Sequence, residues 1–561
     1  MNVLNSIFLI LDTRQKIYFF LIFVFTFFVV LFEMLGLALL VPLISLIINP
    51  DILDKYSLLE VFIKKISLIT SLDLFISALS LFFIIFTIRC FLLSITIFYS
   101  NKYSYLTRVE IGQKILKYFI YQNFDERLNT NSSMAISIIK NEVAQFGSAL
   151  QSLISLIINI IISSSIFIFV LFYYYQQLLI IFFTILIFIL CYFFFINKSI
   201  LFLGSKRLFA EAKFIKHLTE IFNSYKEIKI YNKEDFFLKK FKENNLEICS
   251  IGYKWAFIQS LPKIWIEFIF LVILFLVVIF SYINGVNIKE NITPLGVIIF
   301  GSLRILPNLA LINASLQNLK FNKDSCEKIY SIVNRTVDIN QNNIDIIHFE
   351  KKIEIKNVSF IYSNKKQQIL KNLNFNINKG DIVGVSGNSG SGKTTFIEIL
   401  MGFLHSYEGQ ILVDGKDIKI NHRSWQKNFS YVPQNIYLLD DTIKNNIVFG
   451  NENINFFKIN KILERIGLSK FVDNLPNNID TIVGENASLV SGGQAQRIAI
   501  ARALYNDPKI LVLDESTNSL DSDIEKDILK YLKNFSDNIT IIIISHNLRN
   551  LEICNKILKI E

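Results

Sequence analysis

Long apolar runs before residue 320 constrain this chain more than any other feature. The 561 residues are 52% hydrophobic and include 52 Phe, and most of this excess lies in those runs. Soluble domains are typically about 45–50% apolar. Runs of this length cross a bilayer as helices. The later residues have ordinary mixed composition, so the sequence predicts a membrane half followed by a soluble half.

Six membrane spans are predicted, and the first is longer than a bilayer requires. A very short polar turn joins the third span to the fourth. Between the first two spans, residues 58–66 place apolar side chains at helical spacing. This pattern is typical of an amphipathic helix on the outer membrane surface or, equally, of an ordinary loop helix. The predicted spans are about 17–48, 74–99, 150–173, 178–196, 264–282 and 295–311.

Charge in the loops indicates the orientation. The net charge is +10, and basic residues crowd the long loops at 101–147 and 198–254. The positive-inside rule therefore predicts that these loops, the N-terminus and the soluble half are cytoplasmic. Because this distribution accounts for the net charge, we expect no nucleic-acid partner. The five cysteines have no paired spacing, so neither a disulfide framework nor a metal site is predicted from them.

A polar stretch rich in Asn and Asp divides the chain. We predict a transmembrane domain over residues 1–333, a linker over 334–352 and an α/β domain over 353–561. The fold class is therefore multi-domain: an all-α six-helix transmembrane domain followed by an α/β domain.

A glycine-rich loop between an apolar run and a helix-like run indicates phosphate binding. Backbone N–H groups of such a loop surround a phosphate chain, and the helix N-terminus adds partial positive charge. Lys393 is predicted to reach the β- and γ-phosphates, and the Thr394 hydroxyl to hold Mg²⁺. The predicted ATP-binding set here is Gly387, Asn388, Ser389, Gly390, Ser391, Gly392, Lys393, Thr394 and Thr395.

Three later segments add polar groups that suit ATP hydrolysis. The apolar run 510–513 ends in Asp514, a predicted Mg²⁺ ligand, and Glu515, predicted to polarise the attacking water. Gln434 offers an amide to Mg²⁺ and water. His546, after a further β run, is predicted to contact the γ-phosphate and sense its loss.

A second anion site is predicted at Ser491, Gly492, Gly493 and Gln494, just before a helix-like run. One ATP cannot use two such sites in one small domain. Two copies arranged head to tail can each place this segment on the γ-phosphate held by the other.

Together these motifs resemble the nucleotide-binding domain of ATP-binding-cassette (ABC) transporters, from about residue 353 to the C-terminus. The resemblance implies ATP and Mg²⁺ as cofactors, and Glu515 as the catalytic carboxylate, with Gln434 and His546 assisting. It also implies that Tyr362 stacks on adenine, that Asp521 lies in the D-loop and that Glu485 lies in an exporter X-loop. One membrane half with one cassette resembles half a transporter; a homodimer is the simplest completion, and a heterodimer is left open.

Charged residues inside the spans point to the cargo, because such charges are costly and usually functional. Arg89, Lys263 and Arg304 are the predicted substrate residues, and a dimer doubles their charge. The alternative is that Lys263 pairs with Glu267 one turn on, while the arginines extend to an interface. A cationic cavity suits a phosphate or pyrophosphate head.

Segments around these residues also resemble PglK-type flippases of lipid-linked oligosaccharides, although Lys263 stands where that branch has Arg. The resemblance implies an ATP-driven flippase in the bacterial inner membrane, with a polyprenyl-pyrophosphate-linked glycan as substrate and membrane lipids as partners. The alternative is an exporter of drugs, peptides or lipid A-type lipids. A non-transporting cassette ATPase is disfavoured by the six spans.

Overall fold

The protein is described from a computed structural model, which covers residues 3–48, 74–128, 130–283, 288–335, 347–362, 367–388, 390–484, 487–515, 539–545 and 551–560. It divides into two compact units. Unit 1 comprises Met1–Gln122 and Thr130–Val337, and unit 2 comprises Asn123–Asn129 and Asp338–Glu561.

Unit 1 is helical wherever it has regular structure in the described residues. Buried side chains from its first helices, its longest helix and its last helix form a shared core that includes Ile111, Phe146 and Leu150. Its elements are α1 (Val3–Ile10), α2 (Thr13–Ile48), α3 (Leu74–Tyr121), α5 (Ser132–Ser137), a π-helical turn (Ile138–Glu142), α6 (Val143–Asn223), α7 (Tyr225–Ile230), α8 (Glu234–Ile283), α9 (Ile288–Phe321) and α10 (Lys323–Val333).

The long helix α6 reverses direction along its length. Arg207 Nη2 lies 3.0 Å from Glu142 Oε2, although 65 residues separate them in the chain. A straight helix of 65 residues would span about 98 Å. The chain therefore turns back within this segment. The predicted polar turn between spans three and four falls inside α6, where the backbone is helical rather than an open loop.

Four helical stretches of the described residues are long and apolar enough to cross a membrane. They are Thr13–Leu40, Phe75–Tyr121, Ser132–Phe169 and Glu234–Val272. They overlap the predicted spans one, two, three and five. The side chains of the predicted fourth span, and several in the sixth, lie outside the described residues. Helix α8 starts 30 residues before the predicted fifth span at position 264, and it contains Pro262.

Unit 2 contains a parallel sheet with strand order β6-β7-β8-β3-β9. The central strands are runs of Ile, Val and Leu that are buried at every position of β7 and β8, as expected when helices cover both faces. The strands are β3 (Ile382–Ser386), β6 (Phe429–Val432), β7 (Ile510–Asp514), β8 (Thr540–Ile544) and β9 (Lys556–Lys559).

A second, antiparallel sheet has the order β2-β1-β4-β5. Its inward side chains share a core with β3 and the helix that follows it, so the sheet packs on one side of the P-loop region. Its strands are β1 (Lys352–Phe360), β2 (Leu370–Asn378), β4 (Glu408–Val413) and β5 (Lys416–Asp417). The helices of unit 2 are α4 (Phe124–Leu128), α11 (Lys393–Leu400), α12 (His422–Gln426), α13 (Ile443–Val448), α14 (Phe456–Arg465), α15 (Ser469–Asp473) and α16 (Gly492–Tyr505).

Candidate functional site

The P-loop connects the end of β3 to the start of α11. A Cβ on Gly387 would lie 2.3 Å from the Ile560 carbonyl oxygen, so the close approach of two backbone segments requires glycine there. Gly392 caps the helix with a φ of 102°, in the left-handed region that favours glycine. Lys393 is buried, and its Nζ donates hydrogen bonds of 2.9 Å to the carbonyls of Gly387 and Asn388. The loop thus forms a ring closed by the lysine.

The first turn of α11 places the two threonines differently. Thr394 is exposed, whereas Thr395 is buried. The Thr395 Oγ1 lies 3.1 Å from the Tyr362 hydroxyl, which also donates to Glu398 Oε2 at 3.4 Å. Tyr362 therefore lies against the helix that follows the P-loop.

Asp514 ends β7 as a buried carboxylate, with 5% of its surface exposed. The hydroxyl of Tyr431, in the neighbouring strand β6, donates to its Oδ2 at 3.0 Å. Burial is the main cause that raises the pKa of Asp514 above its ordinary value, and the charge of Glu515 raises it further. The hydrogen bond from Tyr431 and the positive charge of Lys393 oppose this shift. Lys393 and Asp514 are therefore close enough to interact electrostatically.

Glu515 follows directly and has a φ of 47°, which is uncommon for a residue with a side chain. Its N–H donates to the Ile544 carbonyl at 3.0 Å, which fixes this turn at the end of the sheet. Gln434 Nε2 donates to Glu515 Oε2 at 2.7 Å. Two residues predicted from separate motifs thus meet at the carboxyl edge of the sheet, where ligands bind in α/β folds.

The segment Ser491–Gln494 forms the N-terminus of α16. Ser491 Oγ accepts from the Gln494 N–H at 3.3 Å, and Gln494 Oε1 accepts from the Ser491 N–H at 2.8 Å. This capping box leaves the N–H groups of Gly492 and Gly493 in the first turn, where a helix supplies no acceptor. Within the described part of the chain, no hydrogen bond or ion pair joins this segment to the P-loop.

Several predicted residues lie outside the described residues. These are Ser389 of the P-loop, the X-loop Glu485, the D-loop Asp521, His546 and the amphipathic stretch 58–66.

The groups gathered at this edge fit a nucleotide and a divalent cation. A buried carboxylate with a raised pKa, held by a neutral hydroxyl, gains a counter-charge when Mg²⁺ binds. Lys393 and the backbone N–H groups at the start of α11 offer donors to phosphate oxygens. Asp514, Gln434 and Thr394 are the residues that would hold Mg²⁺, which stabilises the negative charge that develops on the phosphates.

In unit 1, the predicted substrate cations do not all meet. Arg89 Nε donates to Glu33 in a buried ion pair, with side-chain exposures of 13% and 3%. The Arg304 guanidinium lies 4.2 Å from the centroid of the Phe86 ring, and that of Arg89 lies 5.5 Å from the same centroid. Lys263 and Glu267 are both exposed, and the described residues give Lys263 no ion pair.

Fold and site together define a membrane protein with a P-loop ATPase domain. The protein-family model for the ABC transporter transmembrane region matches residues 19–304, just over half of the chain. The ABC transporter model, which describes the cassette, matches residues 370–518. The chain therefore belongs to the ABC transporter family, and its cassette is an ATP-hydrolysing domain that uses ATP with Mg²⁺.

Individual relatives agree with this assignment. A Rickettsia typhi protein, named as a candidate export ATP-binding/permease protein, is 33% identical over 65% of this chain and 64% of its own length. An ATP-dependent lipid A-core flippase of Photorhabdus laumondii is 31% identical over 61% of this chain and 59% of its own length. The matches thus span less than two thirds of these relatives.

A solved structure of a bacterial Atm1-family ABC exporter with ATP bound superimposes with a TM-score of 0.78. It is 19% identical and covers 96% of this chain and 93% of its own. The chain therefore has the fold of an ABC exporter half-transporter: helical membrane domain first, cassette second.

Sequence reasoning assigned no role to Tyr431 or Phe86, and it did not predict the partner of Glu33. Tyr431 lies three residues before Gln434, and its role became visible only because β6 and β7 are neighbours in register. Glu33 and Phe86 contact the two arginines, and only packing of three helices shows this. A carboxylate inside an apolar run was the available signal for Glu33. Arg89 thus pairs with this carboxylate instead of extending to an interface.

Proposed function

We propose that this protein is an ATP-driven flippase that moves a polyprenyl-pyrophosphate-linked oligosaccharide from the cytoplasmic to the outer face of the bacterial inner membrane. The observation that supports this cargo is the meeting of Arg89 and Arg304 around one aromatic ring inside unit 1. Among the described residues, these two guanidinium groups lie near one carboxylate, Glu33, and the three charges sum to +1. Guanidinium groups bind phosphate oxygens in pairs, which suits an anionic lipid head.

The proposed architecture has six spans in residues 1–333, a linker over 334–352 and the cassette over 353–561. Four candidate spans and the reversal within α6 support this count. Basic loops at 101–147 and 198–254 favour a cytoplasmic cassette and N-terminus.

The working unit is proposed to be a homodimer, with a heterodimer as its alternative. Ser491 and the N–H groups of Gly492 and Gly493 are exposed or partly exposed at a helix N-terminus. This is the arrangement expected of a segment that binds the phosphate held by a second subunit. Asp521 and His546 are proposed to complete each shared site.

At that site, Lys393 would exchange the carbonyls of Gly387 and Asn388 for phosphate oxygens. Glu515 would accept a hydrogen bond from the attacking water, and Gln434 holds this carboxylate in position. Tyr431 holds Asp514, and Tyr362 beside α11 would provide the surface for adenine. Closing and reopening of the paired cassettes would drive the membrane helices between two states.

The experiment that tests the cargo uses the full-length protein in proteoliposomes. A fluorescent polyprenyl-pyrophosphate glycan is incorporated, and its exposure on the opposite leaflet is measured with and without ATP. ATP-dependent appearance of the lipid, absent with Lys393→Ala, is expected. Absence of movement in an actively hydrolysing preparation would rule out this cargo.

A second candidate, export of lipid A-type lipids, is favoured by the relatives that are named as lipid A-core flippases. Lipid A also carries phosphates, so the same arginines would serve. Movement of lipid A but not of the pyrophosphate glycan in this assay would select the second candidate.

A further inference from the structure

An ion pair lies inside the two candidate membrane spans of unit 1 with the highest mean hydropathy among the described residues. Glu33 belongs to α2 and Arg89 to α3, and the Arg89 Nε donates to the Glu33 Oε2. Their side chains are only 3% and 13% exposed. Both residues lie well inside candidate membrane spans, where an unpaired charge is costly. The carboxylate therefore compensates Arg89 in this conformation.

Arg304, on α9, lies beside this pair. Its guanidinium is 4.2 Å from the centroid of the Phe86 ring and 5.3 Å from that of Phe300. Phe86 is one turn before Arg89 on α3, so one ring contacts both cations. Arg304 interacts electrostatically with Glu33 and Arg89, but it has no ion pair within the described ranges. The three charged side chains sum to one positive charge.

We propose that Glu33 is the resident counter-ion of an anion site formed by Arg89 and Arg304, and that the phosphate-bearing head of the transported lipid displaces it. The inference deepens the proposed function and rests on an anionic cargo. It gives Glu33, a charge inside the first predicted span, control over which anions enter the site.

The difference in charge between the Glu33 carboxylate and a pyrophosphate head supports displacement of Glu33 by the lipid head. Arg89 uses its Nε for Glu33, while the partner of its Nη1 among the described residues is the Cys90 sulfur at 4.0 Å, a weak acceptor. A pyrophosphate carries more charge than one carboxylate and has enough oxygens to engage both guanidinium groups. A singly charged head gains less from the exchange. Glu33 thus sets a threshold that a head with several negative charges passes more easily.

A competing role for the pair is to hold α2 and α3 together. Unit 1 offers a matched control in Glu142, whose Oε2 lies 3.0 Å from Arg207 Nη2 with side-chain exposures of 1% and 7%. This is another buried glutamate–arginine pair, in which Arg207 also donates to Ser325 and forms a second ion pair with Glu211. Glu33→Gln and Glu142→Gln each remove the charge of a glutamate paired with an arginine, and glutamine keeps the volume and one acceptor.

The test measures ATPase stimulation of the full-length protein in lipid nanodiscs. A polyprenyl pyrophosphate, the corresponding monophosphate and lipid A are titrated separately, each against the wild type and the two variants. Glu33→Gln is expected to lower the half-stimulating concentration of the phosphorylated lipids by at least about fivefold, and most for the monophosphate. The pyrophosphate preference over monophosphate therefore shrinks. Glu142→Gln is expected to leave that preference unchanged.

Other outcomes separate the two proposals. An unchanged preference in Glu33→Gln, or weaker stimulation by every lipid, would overturn the counter-ion role. If the wild type responds to lipid A alone, the glycan cargo fails, and the Glu33 inference is decided by the shift for lipid A. If no phosphorylated lipid stimulates the folded wild type, both proposals fail. Thermal unfolding of each variant identifies one that is merely destabilised.

Discussion

The cassette and the membrane unit bury charge in different ways. In the cassette, Asp514 is buried against the neutral hydroxyl of Tyr431, and its pKa is raised mainly because burial disfavours its charge. In the membrane unit, the buried Glu33 is held directly by Arg89. The negative charge of Asp514 is thus expected to be compensated by bound Mg²⁺. The charge of Glu33 is compensated by Arg89 within the fold.

The two units bring their polar and charged side chains together in different ways. Polar groups of the cassette come from the ends of neighbouring strands, so the sheet places Gln434 next to Glu515 without any need for opposite charges. The membrane cations come from helices far apart in the chain, and a carboxylate and two aromatic rings hold them together. Substitutions should therefore affect chemistry in the cassette and cargo response in the membrane unit.

The largest effect is expected for Glu515→Gln. Loss of the carboxylate that polarises water should lower ATP hydrolysis by at least about 100-fold, while ATP still binds. Phosphate release and nucleotide binding by the full-length protein measure the two properties. Substantial hydrolysis by this variant, or full activity of a lone subunit, would contradict the proposed site.

Arg304→Glu tests the membrane side of the comparison. Reversing this charge should abolish stimulation by phosphorylated lipid and keep the basal ATPase rate, because the cassette residues are untouched. Lys263→Glu is the matched reversal at an exposed position outside the arginine cluster, and a smaller effect is expected. Equal effects of the two reversals would mean that overall cavity charge matters rather than the cluster.

Tyr431→Phe probes how the cassette holds Asp514. Removing the 3.0 Å hydrogen bond leaves a buried carboxylate without this donor, at a cost of about 1–3 kcal/mol. Because the bond favours ionised Asp514, the variant should need a several-fold higher Mg²⁺ concentration for half-maximal ATPase. An unchanged Mg²⁺ dependence would show that the Tyr431 hydroxyl is dispensable.

The smallest effect concerns two partly buried histidines of the cassette, His405 and His422. The rings of His405 and His422 lie 3.8 Å apart, with Asp125 acting on His405 and Lys419 on His422. Burial is the main cause that lowers both pKa values, and it lowers the pKa of His422 from 6.5 to about 4. Between these values the unfolded chain binds more protons than the folded one, so stability falls as the pH decreases.

This acid sensitivity can be measured by thermal unfolding of the full-length protein at pH 7.5 and pH 5. His422→Gln should reduce the loss of Tm between these two conditions by roughly 2–4 °C. An equal loss in the variant and the wild type would assign the acid sensitivity to other groups.

Much of the cassette site was predictable from sequence for a physical reason. Phosphate binding by a loop and a helix N-terminus needs glycines, a lysine and a hydroxyl within a few consecutive residues, so local backbone geometry encodes it. Lys393 illustrates this, because its Nζ donates to the carbonyls of Gly387 and Asn388 within the same loop. Likewise, the apolar runs identified membrane helices, since crossing a bilayer demands length and composition alone.

Tertiary structure decided which side chains from distant parts of the chain contact each other. The partner of Arg89 could not be predicted from the sequence, because Glu33 lies 56 positions away on another helix. Nor did spacing indicate that Tyr431 would hold Asp514, which requires β6 and β7 to be adjacent. The sequence by itself determined the class of protein and the kind of chemistry. The packing of helices and the order of strands, which follow from burial of the whole chain, decided which charges meet.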